Sequence, residues 1–300
     1  MPSFTVFRPV ATFGTLCGVV VASLALLIAA VLLLKALAME VSTSQIPPFV
    51  AAAVFVGLAA LYAYWTWGCF TLSYIIDRNS LSIRWGGLRQ VIPIGNIEAL
   101  VPAVAGEPLQ IEGVSWVGHH VGRATVEPFG EVLFYSSHRE PDEVLYVQTP
   151  WEVYAISVPD NDAFAAALEA HRERGILFEQ RQAVHRWGIA AQSFWLDPTA
   201  RVLTLVLIGA FLVVLAYVLD TYPDLSQTVR LRFPSLGGII QVSDKSQLLD
   251  IPRSALGFAA VNLGLAVLLH GWERMVSYVL LLAAITIQIV LLVAAIVAVA

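Results

Sequence analysis

The chain has 300 residues, of which 58% are apolar and 13% charged, and its mean hydropathy is +0.76. Soluble domains usually carry about 25% charged residues, so this composition excludes a wholly water-soluble protein. The net charge of -5 argues against a nucleic-acid partner, because such a partner needs a basic surface.

Uncharged runs predict five membrane spans, since ~20 helical residues cross a hydrocarbon layer of about 30 Å. The spans lie near residues 13–38, 49–72, 202–219, 254–272 and 275–298. Most lack the polar stripe that helices of a soluble core show. Ala36-Leu37-Ala38 resembles a signal-peptide cleavage box, but the apolar run before it is longer than a signal peptide needs. We therefore expect an uncleaved N-terminal hairpin over residues 1–72.

The lysines and arginines indicate the orientation of these spans. With the N-terminus inside, 12 of them lie on the cytoplasmic side and 5 on the other. The positive-inside rule then predicts a plasma-membrane protein with a cytoplasmic N-terminus and an external C-terminus. The polar stretch between the second and third spans would lie in the cytoplasm.

That polar stretch alternates apolar and polar residues over about seven short segments broken by turn residues. They include "TLSYIID", "SLSIRW", "LRQVIPI" and "NIEALVPAV", and after an irregular piece at 106–122 the segments "RATVEPFGEVLFYSS", "EVLYVQT" and "WEVYAIS". A helix over Ala163 to Arg174 follows, with Asp160 or Asn161 as its cap. The pattern predicts an all-β antiparallel sandwich or barrel over 73–175 that one C-terminal helix seals.

Three stretches resemble the bacterial membrane-attached pleckstrin-homology (PH)-like family. They are "YIIDRNSLSIRWGGLRQVIPIGNIEAL", "GHHVGRATVEPFGEVLFYSS" and "VLYVQTPWEVYAISVPDNDAFAAAL". The resemblance covers roughly residues 74 to 174 and rests on positions that carry the fold. It therefore implies a PH-like domain and says little about function.

Two adjacent histidines, His119 and His120, stand between glycines in "SWVGHHVGRA". Neighbouring side chains of a regular strand point to opposite faces, so the pair is not expected to hold one metal ion. A structural role is favoured, and the resembling family tends to carry aromatic residues here. A pH-sensitive surface and a metal site are the alternatives. His138 and His185 are predicted in a charged loop and at the membrane surface.

The sequence lacks the motifs that signal common enzyme chemistry. It holds no H-E-x-x-H, no G-x-S-x-G and no G-x-x-x-x-G-K-[ST], and both cysteines fall in apolar runs. We predict no catalytic, cofactor or metal site and hence no enzyme.

Arg78, Arg84 and Arg89 form the one candidate contact surface, near the first hairpin of the β domain. The resemblance implies a role for them, because some PH folds bind anionic lipid head groups through basic residues at the first hairpin. However, residues 73–198 hold 9 arginines and 16 acidic residues, and 9 minus 16 leaves a balance of -7, which an anionic membrane repels. The arginines also follow a span directly, so topogenic charge and a protein-facing patch stay open as alternatives.

The remaining segments connect the helices. For residues 176–200 we predict a linker helix that lies at the membrane interface, and a plain linker is the alternative. For residues 221–253 we predict a hairpin outside the membrane, in which "TVRLRF" pairs with "GIIQV". This part, within a C-terminal transmembrane region over 201–300, weakly resembles a bacterial membrane family of unknown function with an H-F-x-x-x-G element. Arg232 replaces its histidine, before Phe233 and Gly237.

Four polar side chains within or beside the last two spans complete the predictions. Asn262 and Gln288 are expected to form hydrogen bonds across helices, and His270 and Glu273 to be solvated at the interface.

These observations predict an α-helical five-span membrane protein with an inserted PH-like domain. The favoured function is non-catalytic binding or scaffolding that mediates protein assembly at the cytoplasmic face, with a protein partner or a second copy. The alternatives are an anionic-lipid sensor that uses the first hairpin and a subunit of a membrane transporter or enzyme complex.

Overall fold

The computed structural model describes residues 4–10, 12–102, 109–175, 178, 180–188, 192–233 and 239–299. Over 229–243 we describe only the backbone. The chain forms two compact units, one of Met1–Ile28 with Phe55–Trp187 and the other of Ala29–Val54 with Gly188–Ala300.

Five of the helices in the described ranges are long and apolar enough to cross a membrane. Elements are numbered here in chain order. These helices are α1 (Thr12–Ala38), α2 (Ile46–Thr71), α4 (Pro198–Thr221), α5 (Asp250–Leu269) and α6 (Arg274–Val299). Each coincides with one predicted span. Gln45 closes the connection between α1 and α2, because its side-chain nitrogen donates to the Ala36 carbonyl at 2.8 Å.

The polar stretch between α2 and α4 forms two sheets and one helix. Its strands are β2 (Ser73–Asp77), β3 (Ser80–Trp85), β4 (Leu88–Pro93), β5 (Ala99–Pro102), β6 (Glu112–Trp116), β7 (His119–Val126), β8 (Gly130–Ser136), β9 (Leu145–Gln148) and β10 (Val153–Ile156). With the following helix α3 (Asn161–Glu173) they form what we call the β domain.

Two further strands extend the first sheet. β1 (Phe4–Phe7) pairs antiparallel with β2, and β11 (Ala183–Arg186) pairs antiparallel with β4. The first sheet thus has the order β1-β2-β3-β4-β11, and the second has the order β5-β9-β10-β8-β7-β6.

The sequence prediction needs four corrections here. The described residues of the β domain form nine strands rather than seven, because "RATVEPFGEVLFYSS" forms two strands and the piece predicted as irregular contains β6 and the start of β7. β8 and β10 run parallel, so the fold is not purely antiparallel. The predicted linker helix over 176–200 contains β11 and a short 3-10 helix at Ser193–Leu196. The N-terminal residues join the sheet.

Alternation along each strand builds the core of the β domain. Tyr74, Ile76, Leu81, Ile83 and Tyr154 point inward and are fully buried. Helix α3 covers this core with Phe164 and Leu168, as predicted, and Asp160 caps it by accepting the backbone N–H of Ala163 at 2.9 Å.

Tyr74 joins the two sheets inside this core. Its hydroxyl donates to the Tyr135 carbonyl at 2.7 Å and accepts the backbone N–H of Ser157 at 3.1 Å. Burial raises the pKa of Tyr74, so the hydroxyl keeps its proton. The Tyr135 carbonyl of the second sheet and the Ser157 N–H after it are thus each bonded to a side chain of the first sheet.

The C-terminal part of the second unit, which we call the C-terminal unit, contains a bundle of the helices α4, α5 and α6 and a β-hairpin. The core between α4, α5 and α6 contains Phe194, Leu207, Ala266, Leu281 and Ala284. The strands β12 (Thr228–Phe233) and β13 (Ile239–Asp244) pair antiparallel, which confirms the predicted hairpin. Gly237, which the C-terminal resemblance invoked, lies outside the described residues.

Candidate functional site

The first of the three predicted arginines, Arg78, lies in the turn between β2 and β3, and Asp77 stabilises this turn. One carboxylate oxygen of Asp77 accepts the backbone N–H groups of Asn79 at 2.8 Å and Ser80 at 2.7 Å. This turn places Arg78 towards the end of α3, where its guanidinium donates to the Arg174 carbonyl at 2.7 Å. Arg78 is therefore held in place and only partly exposed.

Arg84 and Arg89 lie directly opposite one another on β3 and β4. Arg89 donates to the Ser82 hydroxyl at 3.0 Å, and Arg84 is exposed. In the part of the chain that the structure describes, no carboxylate forms an ion pair with either. Like charges that face one another across strands destabilise a sheet, so this pair suits an anionic ligand.

One surface groove of about 530 Å³ brings the three predicted arginines together. Besides them, Phe4, Ile75, Asp77 and Asn79 line it. A neighbouring groove of about 330 Å³ shares Arg84 and adds Arg8 with the aromatic rings of Trp67, Phe70 and Trp187. Arg8 was not predicted as a contact residue, although its position as a basic residue before the first span could have indicated a contact at the membrane surface.

His119 belongs to the aromatic core between β3 and β7. The Trp85 indole N–H donates to Nε2 of His119 at 3.0 Å, and the two rings stack with centroids 6.1 Å apart. Burial, with a smaller contribution from His120, lowers the pKa of His119 to about 4. The ring is therefore neutral at pH 7 and occupies an aromatic position, as the structural interpretation predicted.

His120 faces a different set of neighbours. Its Nδ1 forms a hydrogen bond of 2.8 Å with the hydroxyl of Ser115, the residue opposite it on β6. Burial lowers its pKa to about 4, and the charge of Arg139 adds to this. The two rings use separate partners, which agrees with the alternation of side chains along β7.

Two further histidines of this region, His138 and His185, are exposed. Nδ1 of His138 lies 2.7 Å from a carboxylate oxygen of Glu143 in the loop after β8. His185 lies on β11 opposite Arg89 rather than in a surface helix, so it borders the arginine pair.

The β domain packs on the neighbouring ends of α1 and α2. The Trp116 indole N–H donates to the Gly14 carbonyl at 2.9 Å. A Cβ atom on Gly68 would lie 2.5 Å from the Trp85 ring, and one on Gly14 would lie 2.5 Å from the Gly118 carbonyl oxygen. Glycine is thus required at both close approaches. The domain is held on the helical hairpin by direct contacts within one compact unit.

A separate polar cluster lies in the C-terminal unit, where α4 begins and α5 ends. Asp197 caps α4 by accepting the backbone N–H of Thr199 at 2.8 Å, and its other oxygen accepts the Tyr278 hydroxyl at 2.5 Å. The bond from Tyr278 lowers the pKa of Asp197. Nε2 of His270 lies 3.5 Å from the same carboxylate, too long for a hydrogen bond of good geometry.

This cluster corrects the prediction for His270, which is buried rather than solvated, whereas Glu273 is exposed as predicted. Gln288 does bond across helices, since its side-chain nitrogen donates to the Ala255 carbonyl of α5 at 2.9 Å. Asn262 instead donates to Phe258 in its own helix, so the cross-helix prediction was wrong for that residue.

Comparison with known proteins gives one family. Residues 72–172 match the family model described as the bacterial PH domain. No curated protein and no solved structure matches the chain. The family match ends at residue 172, so the resemblance of the C-terminal part stays a prediction.

Proposed function

The chain is a bacterial PH-like domain protein, and on this premise we propose that it is a non-catalytic binding or scaffolding protein of the membrane. In this proposal the five apolar helices anchor the chain with its N-terminus and β domain in the cytoplasm. The β domain then recruits a protein partner or a second copy to that face of the plasma membrane.

The observation that carries the proposal is the direct packing of the PH domain on α1 and α2. Trp116 donates to a carbonyl of α1, and the Trp85 ring lies against Gly68 of α2. A domain held in this way keeps one orientation on its anchor, as an assembly platform requires. Two of the titratable groups buried in it, His119 and Tyr74, are engaged in core hydrogen bonds, which supports a binding role over a catalytic one.

Photo-crosslinking of the full chain in its native membrane tests this proposal. The crosslinking amino acid replaces Val117, which is 66% exposed on the β domain, or Glu131, whose side chain is 62% exposed. We expect adducts to a second copy or to another protein. The purified chain in micelles, with no other protein present, distinguishes the two. If only uncrosslinked monomer is recovered from both preparations, the proposal fails.

A second candidate function is recognition of an anionic lipid head group through Arg78, Arg84 and Arg89. The specific observation in its favour is that these side chains line one groove and that Arg84 faces Arg89. The adjoining groove adds Arg8 beside three aromatic rings, a composition suited to the membrane interface.

Lipid retention by the purified chain tests this second function. Phosphatidylglycerol that stays bound through detergent purification is measured by mass spectrometry for the native chain and for Arg84→Gln with Arg89→Gln. We expect the double variant to retain less than about half, since each lost basic contact is worth ~1 kcal/mol. Arg123→Gln, on the second sheet and paired with Glu131, is the control. Equal retention in all three proteins would exclude the arginine groove.

A further inference from the structure

The arguments for the two functions above do not involve the largest of the grooves described on the β domain. Its volume is about 770 Å³, and it lies between β4, β10 and the segment 180–184 that leads into β11. Gln90, Trp151, Glu152, Tyr154 and Gln182 are among the residues that line it.

The hydrogen bonds in this groove leave acceptors without donors. The Tyr154 hydroxyl has one proton and donates it to the carboxylate of Glu152. It must therefore accept the bond from Gln182, whose side-chain nitrogen lies at 2.8 Å. This fixes the orientation of the Gln182 amide, and its Oε1 is buried without a partner among the described residues.

Gln90 repeats this arrangement from the sheet side. Its side-chain nitrogen donates to the Tyr135 hydroxyl at 3.2 Å, while its Oε1 is buried and has no donor in the described part of the chain. The side chain is only 5% exposed. A buried acceptor that lacks a donor destabilises the fold, so two of them in one groove indicate a ligand that supplies N–H groups.

Two further groups specify the charge of that ligand. Glu152 contributes a carboxylate, and the neighbouring Trp151 ring is 71% exposed, so its π-face is open to a cation. Residues 73–198 as a whole hold 16 acidic residues and 9 arginines, so the segment carries the same sign as Glu152.

We propose that this groove binds the guanidinium of an arginine side chain on a partner protein. A guanidinium carries five N–H donors in a planar fork and stacks on aromatic rings, which matches two amide oxygens, a carboxylate and an open indole. The inference rests on the proposed function, because it names the chemistry by which the β domain recognises its partner.

Arg181 also lines the groove and has the opposite preference. Its side chain is exposed, whereas the acceptor oxygens of Gln90 and Gln182 are buried in place. Arg181 therefore repels an incoming cation and attracts an anion, so its removal reveals the sign of the ligand.

Fluorine NMR of the full chain in micelles tests the groove. The tryptophans are labelled as 5-fluorotryptophan, and the Trp151 signal is assigned from Trp151→Phe. The probe is N-acetyl-arginine methylamide, and N-acetyl-citrulline methylamide is its uncharged counterpart. We expect the arginine probe to shift the Trp151 signal at concentrations where the citrulline probe does not.

Four variants sharpen this experiment. We expect Glu152→Gln and Gln182→Met each to weaken probe binding, the former by about tenfold or more because it removes a charged acceptor. Glu131→Gln, an exposed carboxylate on the second sheet, should leave it unchanged. Arg181→Ala should strengthen it. If Glu152→Gln disturbs the other tryptophan signals, Gln182→Met decides, because it keeps the bond between Tyr154 and Glu152.

The proposal is overturned if both probes shift Trp151 equally, if neither does, or if Arg181→Ala weakens binding. Crosslinked partners that persist in the native chain while the arginine probe fails to bind would refute the groove and leave the scaffolding function intact. Absence of any crosslinked partner would instead refute the scaffolding function.

Discussion

One buried side chain of the β domain, Tyr74, and one of the C-terminal helices, Gln288, satisfy their polar atoms to different degrees. Tyr74 in the β domain uses its hydroxyl as both donor and acceptor. Gln288 in the helical bundle is equally buried, but it makes one bond through its nitrogen while its Oε1 has no partner in the described residues. The Tyr74 hydroxyl is thus fully satisfied, whereas the Gln288 amide is half-satisfied, as are the amides of Gln90 and Gln182 at the groove of the β domain.

The difference follows from what each side chain supports. Tyr74 bonds a C=O of the second sheet and an N–H just after it at once, so its loss removes one hydrogen bond from each of them in a dry core. Gln288 donates to a carbonyl within a helix, where the backbone is already bonded. Cross-helix bonds of this kind are worth only about 0.6 kcal/mol on average in membranes.

The largest effect is expected from Tyr74→Phe. Removing the hydroxyl takes one hydrogen bond from the Tyr135 carbonyl and one from the Ser157 N–H, and we expect a loss of about 4 kcal/mol in the free energy of unfolding. Thermal unfolding of the intact protein in micelles measures it. Tyr146→Phe is the matched control, since its hydroxyl makes a single long bond of 3.4 Å to the Pro141 carbonyl. Equal losses in the two variants would remove the special role of Tyr74.

The next effect is a pH dependence confined to the β domain. The pKa of His119 is about 4 in the folded protein and about 6.5 when unfolded. Between these values the unfolded chain binds a proton that the folded chain does not. Stability is therefore complete above about pH 6.5 and is lost as the pH falls towards 4, by about 3 kcal/mol for this one group.

His119→Phe tests the assignment of this pH dependence. The variant keeps an aromatic ring against Trp85 but cannot be protonated, so its unfolding temperature should fall less between pH 6.5 and pH 4 than that of the native chain. His138→Gln, in an exposed loop, should keep the native profile. A profile for His119→Phe that matches the native one would show that other groups cause the loss.

A smaller effect is expected at the packing of the β domain on α2. Gly68→Ala places a methyl group 2.5 Å from the Trp85 ring, and such overpacking typically costs about 2 kcal/mol. Gly57→Ala on the same helix is the matched control, because no atom lies within 4 Å of its added Cβ. We expect only Gly68→Ala to lower the unfolding temperature and to alter the tryptophan fluorescence. If Gly57→Ala is equally harmful, helix packing elsewhere is responsible.

The smallest effect is expected in the bundle. Gln288→Met keeps the length of the side chain, loses one bond to Ala255 and removes an unpaired oxygen, so we expect a loss of less than about 1 kcal/mol. Thermal unfolding in the same micelles makes the value comparable with that of Tyr74→Phe. A loss as large as that of Tyr74→Phe would show that the two regions do not differ.

Much of the fold was predictable because the signal is local. Each of the five long helices corresponds to an uncharged run, and most strands in the β domain correspond to an alternating segment between turn residues. The strands β1 and β11 were missed because four residues carry too little pattern, and their pairing partners lie far away along the chain. The parallel pair of β8 and β10 is a property of the assembled sheet alone.

The candidate sites also differ in whether the sequence alone could predict them. Arg78, Arg84 and Arg89 were identifiable because a turn and two adjacent strands bring them close. The groove at Gln90 and Gln182 was not, since these residues are 92 positions apart and glutamine carries no distinctive motif. Burial of His270 beside Asp197 likewise depends on the meeting of three helix ends.

The sequence by itself determined where the chain is apolar enough for lipid, where it alternates into strands and that residues 72–172 form a PH-like domain. These properties depend on neighbouring residues, whose hydration and backbone preferences act over a few positions. Only the tertiary structure decided which polar atoms find partners, because a hydrogen bond depends on distances of a few tenths of an ångström between residues far apart in the chain.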